Sequence, residues 1–174
     1  KFVIIHKSFS EDFNLNSRRF IIFMIKNRYK LGVGPMSDYI IKAIYSYSHA
    51  KQIPLMLIAS KSQVDYASGY VTTTKDFSKL CNKLKKQYSK ADVLLCRDHC
   101  GPGFNGNDSL TDVYQTIDAD ISNKFDLIHI DLSHLKKPQG DILVVSKRAV
   151  EYILRQNPNM KIEIGTEANS GKDF

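Results

Sequence analysis

An α/β fold forming part of a (β/α) barrel is what this sequence predicts, and three observations predict it. Strand-like and helix-like segments alternate at least three times, the pattern of a parallel sheet with crossover helices. The strand segments at 53–59 and 91–96 are nearly all apolar, as parallel strands buried on both faces are. Three successive strands end in charged or metal-capable residues: Asp98-His99, Asp131 with His134, and Glu167. In a barrel, side chains from the carboxyl ends of different strands converge on one site. No G-x-G-x-x-G follows a strand and no Walker sequence occurs, which turns the reading away from an open nucleotide-binding sheet.

Taken in order, residues 2–5 read as a short strand or an apolar tail segment and 8–16 as turn. The apolar stripe Phe20, Ile21, Met24 and Ile25 predicts a helix over 17–29. Gly32, Gly34 and Pro35 forbid a long regular element in the next stretch. Ser37 or Asp38 then caps a helix reaching Tyr47. After the strand at 53–59, the polar segment 60–74 reads as a loop. A helix over 77–88, capped by Thr74, leads to the strand at 91–96. That strand runs straight into Arg97-Asp98-His99-Cys100-Gly101-Pro102-Gly103. Beyond it the pattern predicts a helix at 110–122, a strand at 125–134, a helix at 146–156 and a strand at 161–167. The expected organisation is an amino-terminal segment with a helix, 1–30, and a barrel part, 31–174. The barrel part has about four βα units and reads as truncated.

The 174 residues are enough for one domain with a real core, and 43% apolar with 25% charged residues excludes a largely disordered chain. The net charge of +7 suits anionic partners, including phosphorylated small molecules. Its densest run, Lys83, Lys85, Lys86 and Lys90, has the spacing of a solvated helix face. There is no zinc-finger spacing, aromatic RNP-like pair or Arg-rich arm, so nucleic acid is not an expected partner. Cys81, Cys96 and Cys100 are odd in number, and Cys96 sits within an apolar strand; this points to a reducing, cytoplasmic setting. No apolar stretch is long enough for a membrane span, and the first residues lack the long apolar region of a signal peptide.

The candidate chemistry lies at the strand ends. Asp98 and His99 are neighbours, so strand alternation would turn them apart unless the chain is already bending; Gly101-Pro102-Gly103 makes a bend there plausible. Asp131 interrupts an apolar strand, and a buried carboxylate must be hydrogen-bonded, ion-paired or metal-bound. It is placed to orient His99. His129 shares its face but lies deeper, and reads as a satisfied core histidine. His99, His134 and Glu167 suit a divalent metal that polarises a carbonyl, with Asp98 as proton carrier and Glu167 as a second acid–base group. Arg97, Lys61 and Ser60 are anion or sugar contacts in this reading.

Four segments in order carry a family likeness. Ser60-Lys61-Ser62-Gln63-Val64-Asp65 with Gly69-Tyr70, then Arg97-Asp98-His99-Cys100-Gly101-Pro102, then Ile128-His129-Ile130-Asp131, then Ile164-Gly165-Thr166-Glu167 resemble the landmarks of the tagatose-bisphosphate aldolase accessory subunits. The resemblance covers about 31–171. It implies a TIM barrel, (β/α)8, of the class II metal-dependent ketose-bisphosphate aldolase type. It implies lyase chemistry in carbohydrate metabolism, with zinc on His99, Asp98 as proton carrier and Glu167 near the metal. Ser60, Gln63, Arg97 and Asp131 are the expected substrate contacts, and a sugar or sugar phosphate the expected ligand. Such accessory subunits are described as non-catalytic partners, and some relatives look like sugar epimerases; both are alternative readings. The chain differs from the pattern at Arg97 and Cys100, where small or apolar residues are expected. Only about half a barrel is present, so the expectation is either a longer gene product or a homo- or hetero-oligomeric partner that completes or supports the barrel.

Overall fold

The computed structural model describes residues 3–5, 29–107, 109–136 and 140–165. The expected helix at 17–29 lies, except for Tyr29, outside the described residues, and so does Glu167.

The parallel part of the fold runs β2 (Gly32–Val33), α1 (Asp38–Lys51), β3 (Leu55–Ser60), α2 (Thr74–Gln87), β6 (Val93–Cys100), α3 (Leu110–Ser122), β7 (Leu127–Asp131), α4 (Ile142–Gln156) and β8 (Lys161–Gly165). Two short strands, β4 (Val64–Asp65) and β5 (Thr72–Thr73), lie between β3 and α2. They pair with each other inside the segment expected to be loop. The strand β1 (Val3–Ile5) precedes them all.

The main sheet has the order β1-β8-β7-β6-β3-β2. From β2 to β8 every pair is parallel and each strand lies beside the next in sequence. From β2 to β8 the order never reverses, so among the described residues there is no switch point of the doubly wound kind. Right-handed crossovers added in one direction put all the helices on one face, which is the barrel pattern. The edges formed by β1 and β2 do not meet, so this is a partial, unclosed barrel of four βα units and a fifth parallel strand. β1 runs antiparallel along β8, with Val3 opposite Ile164.

Strand alternation divides the core. Leu57, Ala59 and Leu95 face outward and pack with Ile41, Phe77, Cys81 and Leu84 of the helices. Ile128, Ile130 and Ile162 do the same against Val113, Ile117, Val150 and Ile153. The other face gathers Leu94, Cys96 and Leu127 with Met56, Ile58 and Tyr29, and among the described residues no helix residue joins them. This is the barrel interior.

Each helix begins on a side-chain cap that accepts an otherwise unpaired amide. Ser37 takes the Ile40 amide, Thr73 that of Asp76, Ser109 that of Asp112, and Asp141 those of Leu143 and Val144. The cap of α2 is therefore Thr73, not Thr74. Thr74 is buried and turns to Arg97 instead. α4 starts four residues before the expected helix. Its first residues, Ile142, Leu143 and Val144, are exposed and so outside the apolar stripe that marks a helix in sequence.

Candidate metal centre

The site forms where β6 and β7 end. Alternation sends Arg97 outward and Asp98 inward. The ladder between β6 and β7 is then irregular between Arg97 and Cys100, and His99 adopts a left-handed backbone with φ of 50°. A bulge adds one residue and re-aims a side chain. Cys100 consequently faces outward again, packed with Val113 and Ile130, while Asp98 and His99 share one neighbourhood. The bend suggested by Gly101-Pro102-Gly103 is thus real, and begins two residues earlier. Gly101 is needed at its end: a Cβ there would lie 1.5 Å from the Asp131 carbonyl oxygen.

Two cross-strand pairs join β6 to β7. His129 Nδ1 lies 2.9 Å from Asp98 Oδ1, and His99 Nδ1 lies 2.8 Å from Asp131 Oδ2. His99 Nε2 is 3.5 Å from Asp98 Oδ2. The Ser133 amide and hydroxyl donate to Asp131 Oδ1 at 3.0 and 2.6 Å. Asp98, His99 and His129 each offer a ligand atom within 4.8 Å of the others. Asp131 is the group that turns and fixes His99, leaving Nε2 toward the cluster.

Electrostatics follow from this geometry. Burial works against the charge of Asp98, but the His129 hydrogen bond and both imidazoles outweigh it and hold the carboxyl below its ordinary value. Burial likewise disfavours a charged His129, but the Asp98 hydrogen bond and the Glu163 charge raise its pKa. Asp131 is held low, against burial, by Ser133 and His99. Glu163, opposite His129 on β8, is raised by burial.

The remaining expected residues fall elsewhere. His134 is exposed and stacks on Phe104, with centroids 4.6 Å apart; Phe104 in turn stacks on His99 at 4.5 Å. His134 is thus linked to the site through an aromatic ring and is outside the ligand group. Arg97 is fully buried between sheet and helices. Its Nε and Nη2 donate to Asp120 at 2.8 and 2.7 Å, and Nη1 donates to the carbonyls of Ala59, Ser60 and Val64. Lys61 is equally enclosed, between Asp65 and Asp112. Ser60 and Gln63 bond each other: Gln63 Oε1 accepts the Ser60 amide at 3.0 Å, and Ser60 Oγ accepts the Gln63 amide at 3.3 Å. They shape the turn after β3.

His129 and Phe104 are the residues that sequence reasoning missed. For His129 the signal was present, since it shares the Asp131 face by alternation. Phe104 lies in an irregular turn, where no periodicity announces a facing.

The donor set, two imidazoles with carboxylates beside them, fits a divalent metal ion. Among the described residues, no helix is long and apolar enough to cross a membrane.

No family model matches the chain, and no curated protein matches it. Among solved structures it is similar to a probable tagatose 6 phosphate kinase from Sinorhizobium meliloti 1021. The TM-score is 0.58 at 19% identity, over 75% of this chain and 36% of that one. A second similar structure is the YdjI aldolase from Escherichia coli K12, with a TM-score of 0.48 at 12% identity over 73% of this chain and 40% of that one. The chain therefore spans well under half the length of either protein. What it shares with the first of them is a fold: part of a barrel of βα units, at an identity that carries no reaction with it.

Proposed function

We propose that this chain carries the metal-holding side of a barrel site for aldol and retro-aldol chemistry on a ketose phosphate or bisphosphate. The observation that supports it most is the gathering of Asp98, His99 and His129 at the carboxyl ends of adjacent strands. His99 and His129 are the imidazole ligands in this reading. A bound divalent ion would polarise the substrate carbonyl. Asp98, held ionised at neutral pH, takes and returns the proton. Asp131 keeps His99 in place. Glu167, outside the described residues, remains the candidate carboxylate that follows β8 in sequence. The substrate class comes from the four-segment resemblance; the structurally similar probable tagatose 6 phosphate kinase also concerns a sugar phosphate.

A second reading draws on a specific observation. The four side chains already pair among themselves, as a supporting subunit without turnover would require only for stability.

Zinc titration of the protein by calorimetry separates the two. The catalytic reading expects about one ion per chain, and a loss of about 10- to 100-fold in affinity for His99→Ala. It also expects triose phosphate release from a ketose bisphosphate that falls by about 10²–10⁴ in Asp98→Asn while zinc is still bound. Absence of zinc uptake would remove it and leave the supporting role. Zinc uptake with epimerised product and no cleavage would replace the aldol step.

A further inference from the structure

We infer that Gly165 is a positioning residue that seats the His129 imidazole in the cluster. The inference rests on the metal-site reading for what His129 does there; the packing itself does not.

Gly165 lies on β8 opposite Asp131, one strand across from His129. A Cβ added to it would stand 2.0 Å from His129 Nε2, 2.9 Å from Cε1 and 3.2 Å from Cδ2. All three nearest atoms belong to that one ring. The imidazole edge therefore rests on the bare Cα of Gly165. Backbone conformation is not the reason for glycine here, because Gly165 is absent from the positive-φ residues. An alanine can adopt the same backbone, so the only obstacle among these neighbours is the ring. Glycine within a strand often marks such a close approach.

The ring has little room to yield. His129 is 7% exposed, with Asp98 Oδ1 2.9 Å from Nδ1 and the His99 amide 3.4 Å from the same atom. Relieving a 2.0 Å contact requires the ring to move by about 1 Å. A shift of that size carries Nδ1 beyond hydrogen-bond reach of Asp98 or drives it into the cluster. Either way the ligand atoms no longer gather. Gly165 thus acts through His129, while Gly101 performs the corresponding service for the Asp131 backbone.

The test compares wild type, Gly165→Ala, His129→Ala and the double variant. Zinc affinity and the Co²⁺ absorption spectrum are measured on each, and the melting temperature is measured without metal. Gly165→Ala is expected to weaken zinc by about 10- to 100-fold, as His129→Ala does, with the same change in the cobalt spectrum. The double variant is expected to be no weaker than His129→Ala, because both remove one ligand. The melting penalty of Gly165→Ala is expected to vanish in the His129→Ala background. Wild-type affinity in Gly165→Ala, multiplied losses in the double variant, or an undiminished melting penalty would each overturn the inference. If Gly165→Ala does not fold, a folded double variant supports the seating and an unfolded one overturns it. A wild type that takes up neither zinc nor cobalt defeats the metal reading, while the metal-free melting comparison still decides the seating.

Discussion

His99 combines a strained backbone with two side-chain restraints. A left-handed conformation costs a residue with a Cβ about 1–2 kcal/mol. Here that cost is offset by Asp131 on Nδ1 and Phe104 on the ring face. Phe104→Ala removes the stacks on both His99 and His134, each worth about 0.5–1.5 kcal/mol. Chemical denaturation is expected to read a loss of about 1–3 kcal/mol, and zinc titration a weaker His99. The Asp98–His129 pair gives a pH signature. A lowered carboxyl contributes stability above its unfolded value of about 4 and loses it as pH falls through the folded value. A raised imidazole contributes fully below about 6.5 and loses it as pH rises through its folded value. The pair therefore supports the metal-free fold most between about pH 4 and 6.5. The melting difference between wild type and Asp98→Asn is expected to be largest there and to shrink on both sides. Zinc affinity is expected to rise with pH across the titration of His129, since the metal competes with its proton.

At the scale of elements, charge holds the strand-end loops to the helices. Arg97 on β6 and Asp120 on α3 form a two-pronged pair with no exposure at either side chain. Burial opposes charge on both; the pair keeps Arg97 firmly protonated, whereas Asp120 still sits above its ordinary value. Removing one partner of such a pair costs about 3–5 kcal/mol, and replacing both by apolar residues costs much less. Urea denaturation is expected to give that order for Asp120→Ala and for the double variant Arg97→Met with Asp120→Leu. Lys61 ties the turn after β3 to α3 through Asp112, and Asn105 donates to Asp65 at 2.7 Å from the loop that carries Phe104. The aromatic ring on His99 is thereby anchored to two other strand ends.

This network also shows where the sequence is legible. Alternation alone already places Arg97 and Asp98 on opposite faces of β6. Its partner Asp120 is 23 positions away on another element, and nothing local points to it, so a strand-end arginine reads as an anion contact. The Asp131–His99 contact is legible because a carboxylate within an apolar strand demands a partner. The joint facing of Asp98 and His99 is not, since a bulge breaks the period on which facing is read.

For the whole molecule, the order of elements is the most legible feature, because each strand is an apolar run and each helix a capped stripe. Sheet order adds what periodicity lacks: sequential parallel neighbours and edges that do not meet. Stability should be distributed accordingly. β6 and β7 have a partner on each side, while β2 is a two-residue edge. Amide hydrogen exchange is expected to be slowest in β6 and β7 and fast in β2. Uniform protection across the sheet would contradict that view.

The bulge at His99 has a further consequence for how such a chain diverges. Outside the irregularity, β6 is an ordinary barrel strand whose outward residues hold the helices. Restoring its regular pleat would relieve the left-handed residue and turn His99 away, without asking anything of the helix layer except at Cys100. Fold and chemistry are therefore separable by a change of one residue in length. A lineage can keep the barrel, lose the clustering of Asp98, His99 and His129 and remain well folded, so relatives with and without the cluster can differ at this single joint.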